Sequence, residues 1–189
     1  MWFLARQPLS AMALPRLAEA QLAFVRPLYG KNRKCLVLDL DNTLWGGVIG
    51  EDGISGITIG NEYPGNAFRS FQEAILDLHD RGIILALNSR NNESDALPVF
   101  DNHPEMVLKK KHFSAIRINW EDKASNLRSI ANELNIDLNH IVFIDDNPAE
   151  RELVRTYVPE VLVIEMPPDP SDYTNVLEGI TDFDSLTFS

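Results

Sequence analysis

Apolar residues recur with two different periods along this chain, and the alternation between them predicts its architecture. Short continuous runs at Cys35 to Leu40, Ile83 to Leu87, Ile141 to Ile144 and Val161 to Ile164 read as strands buried on both faces, the pattern of a parallel sheet. Met106 to Leu108 is expected to add a brief strand and Ala115 to Ile118 a strand or extended segment. Between these runs the spacing turns helical. Pro64 opens a helix with Phe68, Phe71, Ala74, Ile75 and Leu78 on its inner face, ending near Gly82. A second helix runs from Lys123 to about Leu134, a third starts at Pro148, and Asp169-Pro170 caps a fourth that reaches Glu178. Ser94 is read as the cap of a short helix to Phe100 that contains Pro98.

Two segments stand apart from this alternation. Residues 14 to 29 place Leu14, Leu17, Ala18, Leu22, Val25 and Leu28 at helical spacing, predicting a helix that leads into the domain. After the first strand, glycines from Gly46 to Gly60 punctuate short apolar runs around the turn signal Glu51-Asp52-Gly53, predicting a β-hairpin flap. Strands alternating with helices give an α/β chain: a three-layer α/β/α Rossmann-like fold with a mainly parallel sheet. The expected organisation is a helical lead-in over residues 1–30 and one domain over 31–189, with no insertion of cap-domain size.

Composition narrows the class. The chain has 189 residues, 44% hydrophobic and 24% charged, enough to bury a core without covalent staples. Its lone cysteine, Cys35, excludes a disulfide framework and favours a reducing compartment. Neither a stretch of membrane-spanning length nor the apolar region of a signal peptide is found, so a cytoplasmic location is expected. A net charge of -11 argues against nucleic-acid binding. The one basic run, Lys109-Lys110-Lys111-His112, reads as a solvated loop, and the histidines show no ligand spacing.

Candidate chemistry collects where strands end. Leu36-Val37-Leu38-Asp39-Leu40-Asp41 delivers two carboxylates to the close of an apolar strand, a costly arrangement unless a cation sits there. Ser89 follows the next strand, Lys123 starts a helix, and Asp145-Asp146 follows a later strand. In parallel sheets ligands bind at these carboxyl ends. Together the residues suit phosphoryl transfer through an aspartyl phosphate. Asp39 is the nucleophile, and Asp41 protonates the leaving oxygen and then deprotonates water. Asp145, with Asp39 and the backbone carbonyl of Asp41, supplies hard oxygens to Mg2+; Asp146 is either a fourth ligand or a neighbour of one. Ser89 is expected to hydrogen-bond a phosphoryl oxygen, and Lys123 to neutralise charge on the phosphoryl group and the nucleophile. Arg90, Asn91 and Asn92 are candidates for substrate contact or a polar turn. Thr43, Asn147 and Arg151 join the substrate-binding candidates, the last two with the alternative of tying a helix start to its loop. Trp45 and Trp120 either shape the substrate mouth or pack.

The set resembles the four motifs of the haloacid dehalogenase superfamily and, more narrowly, its capless FkbH-like branch. The narrower resemblance is carried by Arg33-Lys34-Cys35-Leu36-Val37-Leu38-Asp39-Leu40-Asp41-Asn42-Thr43-Leu44-Trp45-Gly46-Gly47-Val48, Gly50-Glu51-Asp52-Gly53, Ser89-Arg90-Asn91-Asn92, Ile118-Asn119-Trp120 and Asp145-Asp146-Asn147-Pro148-Ala149-Glu150-Arg151. It implies dephosphorylation of a phosphorylated three-carbon acid resembling 1,3-bisphosphoglycerate. The resemblance further implies that the glyceryl unit is loaded onto the thiol of an acyl carrier protein in polyketide biosynthesis. The alternative is a small-molecule phosphatase with no carrier. Cys35 lies four residues before Asp39, about 13 Å along an extended strand, and is expected to be a core thiol and not an acyl station. Because carriers are usually acidic, docking one would require a local basic patch, for which Lys109 to Lys111, Arg117 and Arg155 are candidates. A receiver-like switch domain orders its acidic groups the other way round, and a silent interaction module would not need the whole chemical set.

Overall fold

The computed structural model describes residues 32–183, together with residues 10, 12–15, 17, 18 and 21. The chain divides into two compact units, one comprising Arg33–Ile180 and the other Met1–Asn32 with Thr181–Ser189. The helix expected over residues 14–29 lies largely outside the described residues. All that follows concerns the larger unit.

Its frame is a five-stranded parallel sheet of β1 (Cys35–Leu38), β2 (Ile84–Ser89), β3 (Phe113–Ile118), β4 (Ile141–Ile144) and β5 (Leu162–Val163), in the order β3-β2-β1-β4-β5. Consecutive strands run outward from β1 in one direction and then in the other, which makes its carboxyl end the topological switch point. Every residue of β1 and β4 is buried, because helices cover both faces of the sheet. One face carries Val37, Ala86, Ala115 and Phe143 against Leu127, Ile130, Ala131 and Val154.

The helices are α1 (Ile49–Asp52), α2 (Gly65–Asp80), α3 (Glu93–Asn102), α4 (Lys123–Leu134), α5 (Pro148–Tyr157) and α6 (Tyr173–Glu178). In α2 the buried positions Phe68, Phe71, Ile75 and Leu78 follow the expected stripe, and α4 starts and stops where its pattern does. Asp122 caps α4, its carboxylate accepting the Ser125 amide at 2.8 Å, and left-handed Asn135 closes it.

Three local expectations are corrected. No strand forms at Met106 to Leu108. The side-chain oxygen of Gln72, fully buried on α2, accepts the amides of Val107 and Leu108 at 3.1 Å each, so the segment needs no ladder partner. The cap of α3 is Asn92, not Ser94, since the Asn92 carbonyl already accepts the amides of Asp95 and Ala96. The flap is closed by an antiparallel pairing of Gly46 with Thr58, but its tip is the helical turn α1 and not a strand-to-strand turn. Asp52 decides this by folding back to accept the Val48 amide at 2.8 Å. Gly47 is required there: its φ is +93°, and a Cβ would lie 2.5 Å from the Asp52 carboxylate.

Candidate active site

Register alone brings the main carboxylates together. Leu38 pairs with Ile144 across β1 and β4, so Asp39 and Asp145 leave neighbouring strand ends side by side. Leu38 also pairs with Leu87, which sets Ser89 two residues further along on the other flank. Lys123, the first residue of α4, reaches between them: its ammonium lies 2.8 Å from Asp39 Oδ1 and contacts Asp145 Oδ2. The Asn88 side chain fixes that approach by donating to the Lys123 carbonyl at 3.0 Å.

This cluster is nearly dry. Lys123 is 3% exposed, Asp39 6% and Asp145 0%. Burial by itself would lower the Lys123 pKa, but Asp39 and then Asp145 outweigh it and shift the group upward. Burial, then the charge of Asp39, pushes Asp145 up to about 7, and the same two causes push Asp146 up to about 6. Three carboxylates thus face one ammonium. Asp39, Asp145 and Asp146 each offer an oxygen, all within 4.8 Å of one another, and they form the candidate metal group among the described residues. A set of hard oxygen donors with excess negative charge at an open pocket fits magnesium.

Asp41 is separate and differently held. Its Oδ1 accepts the Trp45 indole N–H at 2.9 Å and the Ile49 amide at 3.0 Å, while Oδ2 accepts Asn91 Nδ2 at 2.8 Å. Asn42, between Asp41 and Thr43, adopts a left-handed φ of 53°. Its side chain accepts the Gly47 amide at 2.9 Å, and its carbonyl accepts the Tyr173 hydroxyl at 3.1 Å.

Asp39, Asp41, Ser89, Lys123, Asp145 and Asp146 line one cavity of about 200 Å3, along with Asn42, Arg90, Asn147 and Glu150. The candidates for substrate contact separate by burial. Thr43 has no exposed surface and accepts the Asp146 amide at 3.2 Å, which ties it to the acidic loop. Asn91 serves Asp41, and Asn92 accepts from the exposed Trp120 at 3.0 Å. Asn147 caps α5 through the Ala149 amide at 2.9 Å. Arg151 donates to the carbonyls of Asp145 and Asp146 at 2.8 and 2.7 Å, tying the helix to the acidic loop. Arg90 stays at the cavity mouth, paired with Glu150 at 2.7 Å.

Sequence reasoning left Trp45 undecided and passed over Asn42, Glu150 and Tyr173. An indole four residues beyond Asp41 and an asparagine between two turns were the available signals; Tyr173 had none. Cys35 is fully buried at the amino end of β1, its thiol pushed up to about 12 by burial. Lys109 to Lys111 precede β3 and therefore stand at the amino edge of the sheet, away from the carboxyl-end cavity. Of the other basic candidates, Arg117 pairs with Glu133 and Arg155 with Glu165.

Comparison with known proteins agrees with this geometry. Residues 34–161 match the family model described as NLI interacting factor-like phosphatase. The N-terminal part of a Bacteroides fragilis protein, containing a phosphatase domain complexed with Mg, superposes with a TM-score of 0.89 at 46% identity. That match covers 95% of this chain and 48% of the other, so the chain spans about half the length of that relative. Two remoter structures share the fold. The HAD domain of effector protein Lem4 from Legionella pneumophila has a TM-score of 0.59 at 14% identity, over 81% of this chain and 95% of that one. A HAD-superfamily hydrolase of subfamily IA from Geobacter sulfurreducens has 0.52 at 13%, over 76% and 99%. No curated protein matches the chain. With its family model running from just before β1 to just before β5 and its acidic loops gathered at the switch point, the chain belongs to the NLI interacting factor-like phosphatase family.

Proposed function

We propose that the chain is a magnesium-dependent phosphatase that works through an aspartyl phosphate on Asp39. The observation that carries this is the buried Asp39–Lys123–Asp145 cluster beside a separately anchored Asp41. An Asp39 oxygen attacks phosphorus as the ester oxygen departs, and Asp41 supplies that oxygen with a proton. Asp41 then takes a proton from water, whose oxygen displaces Asp39 and yields inorganic phosphate. Ser89 donates to a phosphoryl oxygen, and Lys123 holds the nucleophile in place while offsetting charge. Asp39, Asp145 and Asp146 would hold the magnesium ion, with the Asp41 carbonyl as a further ligand; when bound it supplies Lewis-acid charge to the phosphoryl group. Asp39→Asn should abolish phosphate release while thermal unfolding is unchanged; retained turnover would remove Asp39 as nucleophile.

Two finer readings concern the substrate. The FkbH-like resemblance points to a phosphorylated three-carbon acid whose acyl unit passes to an acyl carrier thiol, directly, since buried Cys35 cannot serve as a station. The alternative, a small-molecule phosphatase without a carrier, is favoured by the lysine run standing at the far edge of the sheet from the cavity. Incubating the chain with 1,3-bisphosphoglycerate and a carrier protein separates them by mass spectrometry. A carrier mass gain of one glyceryl unit supports the first, and free phosphate with unmodified carrier supports the second.

A further inference from the structure

The phosphate cavity is too small for more than a phosphoryl group, an ion and their waters, but it does not end at its own wall. A second, larger cleft of about 660 Å3 shares Asn42 and Asp146 with it. Its volume falls in the range that encloses small organic ligands, roughly 300–1,000 Å3. We propose that this cleft is the specificity subsite for the organic body of the phosphoester, and that it selects an uncharged apolar body over an anionic one. The inference rests on the phosphatase reading and is independent of any carrier protein.

Three observations support the choice. The walls are aromatic and proline-rich: Tyr63, Phe68 and Tyr173 face Met166, Pro167 and Pro168. Such rigid apolar surfaces favour flat or extended apolar groups and lose little conformational entropy on binding. Phe68 and Tyr173 meet edge-to-face with ring centroids 6.0 Å apart, and Phe71 backs Tyr173 at 5.4 Å, so this wall is preformed.

The charges in the cleft oppose a second anion. Asp146 closes its inner end, and Asp169 accepts the Tyr63 hydroxyl at 3.2 Å near its rim. The cation lining the cleft, Arg151, donates Nη1 to the Asp145 and Asp146 carbonyls and Nη2 to Glu165 at 3.0 Å, and the Nε left without a partner among the described residues is buried away from the surface. A carboxylate or second phosphate entering here would meet like charge and a cation already engaged.

The cleft is also mechanically joined to the catalytic loop. Tyr173 forms part of the wall and donates to the carbonyl of left-handed Asn42, the residue that follows Asp41. A body packed on Tyr173 therefore rests on the same element that positions the turn carrying the acid–base group.

The test compares 2-naphthyl phosphate with 4-carboxyphenyl phosphate on the Mg2+-loaded chain, following phosphate release. The neutral ester should have a kcat/KM about tenfold higher or more, chiefly through KM, the scale expected for apolar pocket contacts. Tyr63→Ala, at a position 65% exposed, should cut that ratio to about twofold, whereas Tyr63→Phe should keep it. Pro168→Asp, which adds charge to the wall, should lower the ratio as well. Equal or better use of the carboxylated ester would overturn the subsite, as would a ratio unmoved by both Tyr63→Ala and Pro168→Asp. Release from neither ester, nor from acetyl phosphate, would instead overturn the phosphatase reading on which it rests.

Discussion

Asp41 enters the site with both carboxylate oxygens already engaged, by an indole, a backbone amide and an asparagine. Three donors from three places leave the side chain a single orientation, which a proton shuttle needs more than it needs proximity. Trp45 is the least replaceable of them, because it is fully buried and its N–H has this one acceptor within reach. Trp45→Phe keeps most of the packing, including the edge contact with Phe100, while removing the donor. A hydrogen bond to a charged group contributes about 1.5–3 kcal/mol, so kcat should fall roughly tenfold to a hundredfold with KM little changed. Steady-state kinetics beside a thermal melt would check this; a raised KM at constant kcat would show that Trp45 serves binding instead.

At the scale of elements, the site is made by helix starts and strand ends meeting at one edge. Lys123 opens α4, and Asn147 caps α5 one residue after the acidic pair, so each helix start fixes a chemical group and its own backbone together. Asn147→Ala removes the acceptor of the Ala149 amide and should cost about 1 kcal/mol of stability, read as a lowered urea midpoint; loosening this helix start should also weaken Mg2+ binding, because the backbone N–H of residue 147 donates to Asp145 Oδ1 at 2.9 Å. A stability loss with unchanged metal affinity would mean that the cap and the acidic loop are independent. The helical spacing of α2 and α4 was legible in the sequence because each packs a single apolar stripe against the sheet. The turn α1 and the strandless Met106 to Leu108 segment were not, since both are decided by one polar side chain folding back, Asp52 in the first and Gln72 in the second.

For the molecule as a whole, the sheet concentrates negative charge at one dry point and supplies one ammonium against it. Asp145 sits in the folded chain with its carboxyl pushed up to about 7 by burial and by Asp39, well above its unfolded value. A group whose folded pKa is raised stabilises the metal-free fold at low pH and loses that contribution as pH climbs toward 7. Magnesium must displace this proton below pH 7 and that of Asp146 below about 6, so its affinity should fall by about tenfold per unit just under pH 7, more steeply under pH 6, and level off above 7. Calorimetry from pH 5.5 to 8.5 should therefore show proton release on binding at pH 6 that vanishes by pH 8.5, and a larger Mg2+-induced rise in Tm at pH 8 than at pH 6. Affinity flat across that range would indicate that the ion does not contact Asp145. Among the described residues no helix is long and apolar enough to cross a membrane.

The sequence by itself determined the α/β alternation, the strand that ends in Asp39 and Asp41, and the order in which Ser89, Lys123 and Asp145 arrive. These follow from local periodicity and from the cost of placing carboxylates beside apolar runs, which no distant contact can hide. Only the tertiary structure decided which polar residues touch the chemistry and which hold it. Thr43, Asn91, Asn147 and Arg151 are all candidates for substrate contact in sequence, and the fold shows the partner each already holds: the Asp146 amide, the Asp41 carboxylate, the Ala149 amide and the Asp145 carbonyl. The cleft beside the phosphate cavity was equally invisible, because its walls come from residues about a hundred positions apart, brought together where α2 packs on α6. Side-chain partnership across such separations depends on register and packing, and a chain read residue by residue carries neither.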